Sequence, residues 1–146
     1  MKKINLEMSQ DQYEKLVETV FLGTWMVNST QLELDESFEG VRNLVLSKFK
    51  EAELEDKVTY EEAFDVHDLA VDFENQLLQK YVEDYDEFSF WDKLVEKLSE
   101  KELVKEFGSL PDTLSEEMIA KRVEYEEEIG KELEERGITN LELKSK

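Results

Sequence analysis

Between Ser9 and Asn28 the apolar residues return at every third or fourth position, and no other stretch constrains the fold as tightly. At about 100° per residue, Tyr13, Leu16, Val17, Val20, Phe21, Thr24 and Val27 share one broad stripe, which predicts an amphipathic helix. Ser9 followed by Gln12 predicts a capping box at its start, with Met8 and Tyr13 as a hydrophobic staple. In the last two turns Leu22, Trp25 and Met26 cover the other sides, so this end is expected to be walled in by protein. Gly23, which costs about 1 kcal/mol against alanine inside a helix, predicts a close backbone approach there. The stretch reads as the central helix of a small soluble domain.

The rest of the chain favours the same secondary structure. Glycine is scarce and Pro111 is the single proline among 146 residues. Forty per cent of the residues are hydrophobic, with eight Phe, five Tyr and two Trp. That supply of core residues separates the chain from disordered sequences of similar charge. The length suits one domain, 1–146, able to stand without staples. Cysteine is absent, which rules out disulfides and thiolate chemistry and suits a reducing compartment. No apolar run approaches a membrane span, and the lysine-bearing start lacks the apolar core of a signal peptide, so a cytoplasmic protein is expected.

Along the chain, Ile4, Leu6 and Met8 alternate with polar residues, and Ile138 to Lys144 echoes the pattern with Leu141 and Leu143. The two segments are expected to pair as short strands. A second helix is expected from Ser37 to Ala52, buried along Phe38, Val41, Leu44, Val45 and Phe49. Thr59 with Glu62, Ser99 with Glu102, and Thr113 with Glu116 each predict a helix start. They frame a short turn at 60–64, a third helix over 68–83, a fourth from Glu87, a short one closed by Gly108, and a last one ending at Gly137. In the third helix Leu69, Phe73, Leu77 and Tyr81 oppose Val71, Leu78 and Val82, so it is sandwiched in the fold or offers one side to a partner. In the last, Met118, Ile119, Tyr125, Ile129 and Leu133 face inward, and the Pro111 hinge would allow exchange with a second subunit. The fold class expected is mainly α, a compact bundle of about five to six helices with a small two-stranded pairing of the N- and C-terminal segments.

Charge is the strongest functional signal. Acidic residues number 38 against 18 basic, a net charge of −20. Such a surface repels nucleic acid and anionic lipid, so neither direct nucleic-acid binding nor membrane binding is expected. Residues 58–87 hold ten carboxylates against Lys80 alone. If a helix runs back through Asp65, then Asp65, Asp68, Asp72 and Glu83 share one side, a candidate partner-binding acidic face. The bland alternative is a solvated helix face. The same row offers oxygen ligands for a divalent ion, but no ligand loop accompanies it.

Nothing else selects a reaction. His67 is the only histidine and points away from that row on a helix; a lone histidine is ordinarily structural. No phosphate-cradling glycine pattern exists, and no catalytic, cofactor-binding or metal-ligating residue is assigned. The aromatics at helical spacing read as core, except that Phe88, Phe90 and Trp91 cannot all face one way, which leaves one for a contact surface. The reading is a non-enzymatic module that binds another protein or a second copy of itself and needs no cofactor. One alternative is an acidic nucleic-acid mimic that inhibits a basic nucleic-acid-binding protein. Another is a divalent-metal-dependent hydrolase on the acidic row.

Overall fold

Ser9 opens the first helix as its sequence requires: its hydroxyl accepts from the Gln12 amide at 3.2 Å, and the Gln12 side chain accepts from the Ser9 amide at 2.9 Å. The computed structural model describes residues 1–145. Helix α1 (Gln10–Asn28) is followed by α2 (Glu36–Leu46), a hairpin of β1 (Val58–Glu61) and β2 (Val66–Leu69), and α3 (Val71–Leu77) with a π-helical continuation, Leu78–Glu83. Helices α4 (Asp84–Phe107) and α5 (Glu116–Arg136) complete the order. The chain is mainly helical with one small antiparallel sheet. Its contacts gather into two compact units, Met1–Glu83 and Asp84–Lys146. Among the described residues, no helix is long and apolar enough to cross a membrane.

In the first unit, Val17 and Phe21 of α1 meet Leu46, Phe49, Ala52, Leu54, Val58, Leu69, Phe73 and Leu77. The expected stripe of α1 therefore does face a core. Its far end does not behave as expected: Trp25 is half-buried, Met26 is exposed, and nothing lies within 4 Å of a side chain built at Gly23. No backbone crosses there, so the glycine marks open surface. The reason is that α2 and the hairpin cover one side of α1 only.

Helix α2 ends at Leu46, six residues before the expected Ala52. Beyond it the chain tightens into i→i−3 bonds from Lys48, Phe49, Glu51 and Glu53, and Glu53 takes a left-handed φ of 56°. The Leu54 amide then bonds back to the Phe49 carbonyl at 2.9 Å, a Schellman-type closure. This turning is what brings Phe49, Ala52 and Leu54 into the core; a straight helix would have carried them past it.

The expected pairing of the terminal segments is not formed: neither Ile4–Met8 nor 138–144 is a strand. The sheet is the local hairpin, with Val58 opposite Leu69 and Tyr60 opposite His67. Closing a four-residue loop costs far less chain entropy than joining segments nearly a chain length apart. Thr59 is accordingly a strand residue, not a helix cap, and its hydroxyl donates to the Asp68 carbonyl at 3.3 Å. The expected third helix loses its first turn to β2. Leu69, Phe73 and Leu77 are buried, whereas Val71 on the opposite side is exposed.

In the second unit α4 packs along α5. The expected break at Ser99 is absent. Ser99 is fully buried, and its hydroxyl donates to the Val95 carbonyl one turn back at 2.7 Å, so the helix runs through. Among the described residues, four helices reach eleven residues or more, with 19, 11, 24 and 21 residues, fewer than expected because α4 is undivided and α3 is short. Helix α5 is capped by Ser115, which accepts from the Met118 amide, rather than by Thr113. Gly108 and Gly137 end their helices at φ 79° and 58°, as the sequence predicts. A side chain at Gly108 would meet nothing within 4 Å, and at Gly137 only the Trp91 ring at 3.8 Å. By backbone strain alone Gly108→Ala should cost about 1–2 kcal/mol and Gly137→Ala, whose ψ of −139° lies outside the left-handed helical region, about 1–3 kcal/mol, each read as a lower urea midpoint at unchanged slope.

Candidate functional site

The residues of the expected acidic face are placed on four different elements. Asp65 sits in the hairpin loop at φ 50°, a conformation aspartate tolerates, and accepts from the Tyr60 hydroxyl at 2.8 Å. Asp68 is on β2, Asp72 in the first turn of α3, and Glu83 at the end of the π-helical segment. The shared helix side does not exist, because strand pairing rather than helical phase orients the first two. Among the described residues, no three carboxylate or imidazole groups are grouped to hold a metal ion.

What the structure does build around Asp68 is an ion-pair hub. Arg42 of α2, largely buried, bonds to Glu39 at 3.3 Å and to Asp68 across the gap to the hairpin. Beside it Asn28, also buried, donates to Glu39 at 2.9 Å and accepts from the Asp35 amide at 2.8 Å. With Thr24 and Trp25 these groups border a polar recess of about 370 Å³. Arg42 is satisfied by two carboxylates, so the recess holds no unpaired cation for an anionic ligand.

His67 is 8% exposed and satisfied, as expected for a lone histidine. Its backbone N–H donates to Asn43 Oδ1 at 2.8 Å, which fixes that atom as the amide oxygen. The same oxygen lies 2.9 Å from Nδ1, so the ring carries its proton there. Tyr60 stacks on the ring at 4.5 Å and Phe49 meets it edge-on at 5.8 Å. The imidazole is packed between α2 and the hairpin, bonded to Asn43 of the one and stacked on Tyr60 of the other. Helical phase puts Arg42 on the outside of the second helix and assigns Asn43 nothing; the structure turns both toward the hairpin. The β-branched and aromatic run at Val58–Tyr60 and the alternation at Val66–Leu69 were the signals that would have pointed to them.

Helix α2 carries the least expected feature. Its polar side, Glu39, Arg42 and Asn43, turns inward with Leu46, while Phe38, Val41 and Leu44 are exposed. Leu44 and Val45 border an open groove of about 900 Å³ that also takes in Leu16, Tyr13, Leu6 and Met8. Tyr13 donates its hydroxyl to the Val45 carbonyl at 2.6 Å. Burial, and then the Glu51 carboxylate, push its pKa from 10 up to about 12. Because the folded chain holds the proton more tightly, the stability from this group is whole below pH 10 and is lost as pH rises from 10 to about 12. A titration followed by absorbance at 295 nm should lose a tyrosine component near that upper limit in Tyr13→Phe.

The second unit presents another surface. Along α4, Tyr85, Phe88 and Phe90 are 58%, 70% and 51% exposed. Two of the three aromatics that cannot share a side, Phe88 and Phe90, face out. Phe88, Trp91 and Val95 form the floor of a groove of about 460 Å³ edged by Asp84, Glu87 and Asp92. The Trp91 indole donates to Glu87 at 2.8 Å.

No family model, curated protein or solved structure matches this chain. Function therefore has to be argued from these surfaces alone.

Proposed function

We propose that the chain works by binding another protein, or a second copy of itself, through the outer face of α2. One observation carries this: an amphipathic helix has turned its polar side into the core and left Phe38, Val41 and Leu44 in solvent. Such an arrangement gives up apolar burial within the chain, at about 25 cal/mol per Å². A protein surface laid on that face recovers it. The neighbouring groove at Leu44 and Val45 extends the apolar area toward Leu16 and Met8. Contact surfaces of this kind have an apolar centre and a polar rim, and Glu36, Lys48 and Lys50 are exposed around the stripe.

Cross-linking in cells through Lys48 and Lys50, with light scattering of the purified chain across a concentration series, tests the proposal. The expected result is a protein cross-linked beside α2, either a second copy or another chain, and its loss in Val41→Glu. A strict monomer with no cross-linked protein in the wild type would remove this function.

A further inference from the structure

Four carboxylates and four aromatic rings, with no lysine or arginine, occupy the nine residues from Asp84 to Asp92. The helix sorts them. Asp84, Phe88, Trp91 or Asp92, and Val95 follow one another at three- and four-residue steps, so they share a side of α4. The result is the groove in which Phe88 and Trp91 supply two ring surfaces and Asp84, Glu87 and Asp92 the edge. None of these three carboxylates is in an ion pair among the described residues; the nearest lysine along the helix, Lys93, is engaged with Glu96 at 2.9 Å. Glu87 is instead held by the indole N–H of Trp91, which orients its carboxylate beside the ring and leaves its second oxygen able to accept.

We infer that this groove on α4 is a docking site for an arginine-bearing, basic protein segment. Charge complementarity decides the occupant. An aromatic floor alone would take any apolar side chain, but three unpaired carboxylates around it penalise an apolar or acidic occupant and favour a cation. A guanidinium fits both components at once, since its flat face stacks on an aromatic ring while its edge donates two bonds to a carboxylate. A second copy of this chain is a poor occupant: it carries a net charge of −20, and the lysines at 93, 97 and 105 are paired with glutamates of their own helix. Nucleic acid and anionic lipid are repelled by the same carboxylates. The inference goes beyond the α2 reading, since it concerns a different unit and a different chemistry.

Calorimetric titration of the full chain with a 14-residue amphipathic peptide of leucine and arginine tests it. Saturable 1:1 binding is expected, weakened at least tenfold in Phe88→Ala and in the triple variant Asp84→Asn, Glu87→Gln, Asp92→Asn. A matched triple on the outer side of α5, Glu117→Gln, Glu124→Gln, Glu127→Gln, removes the same charge and should change affinity less than twofold. The peptide with lysine for arginine should bind several-fold more weakly. All the altered side chains lie on the helix surface, and unchanged circular dichroism establishes that each variant folds. Equal weakening by the two triples, or no saturable binding by the wild type, would overturn the inference. Either failure leaves α2 cross-linking untouched, and loss of that cross-linking leaves peptide binding to α4 untouched, so the two proposals fall separately.

Discussion

Leu46→Ala lowers the unfolding free energy by about 2–5 kcal/mol, whereas Leu44→Ala, two residues earlier, changes it by no more than about 0.5 kcal/mol. Leu46 is fully buried against the core of the first unit, so truncation loses its transfer energy and leaves a cavity that the helix end can only partly close. Leu44 is 67% exposed and leaves none. Urea unfolding monitored by circular dichroism checks the pair: the midpoint should fall sharply in one variant and stay in place in the other, with the slope unchanged in both. Comparable losses would mean that α2 is rotated from the orientation described, and the exposed stripe would go with it.

Asn43→Ala is expected to cost about 1–3 kcal/mol. Its side-chain oxygen is the acceptor for both the backbone N–H and the ring Nδ1–H of buried His67. Removing it leaves two donors without a partner where water has little access, and the desolvation cost falls on the folded state. Asn43→Asp keeps an acceptor at that place and should restore part of the loss, short of the wild type because it removes the amide donor to the Asp65 carbonyl at 3.4 Å. Hydrogen exchange offers a local readout. The His67 amide should lose protection in the alanine variant well before amides of α1 do. If alanine and aspartate behave alike, the bond to His67 contributes nothing and the hairpin is held by packing and by the Arg42–Asp68 pair.

Both results concern a helix whose existence the sequence predicted and whose orientation it did not. The apolar spacing over Phe38 to Val45 marks a helix, and the structure shows its cap to be Asp35, which accepts from the Ser37 amide at 3.0 Å. Reading the buried side from hydrophobicity then pointed to Phe38, Val41 and Leu44. The opposite side packs inward because Asn28, Asp68 and His67 supply partners for Glu39, Arg42 and Asn43. Those partners come from α1 and from a hairpin that stands where the sequence predicts a short turn and the start of a helix. One wrong element thus displaced both the core face of α2 and the acidic row, since Asp65 and Asp68 inherit their directions from strand pairing.

The local signals were sound where a few neighbouring residues decide the outcome: the capping box at Ser9, the stripe through Val17 and Phe21, and the stops at Gly108 and Gly137. Each depends on bonds or φ values within one turn of helix, which is why the chain alone determined them. Ser99 and Thr59 show the limit of the same reasoning. A serine or threonine three residues before a glutamate is compatible with a cap, a strand or a buried helix interior, and only the surroundings select among them. Burial direction, the hairpin, the isolation of Phe88 in solvent and the division into two units all rest on contacts between residues distant in sequence. The energy of each such contact depends on what the other segments present, so tertiary structure alone decided them.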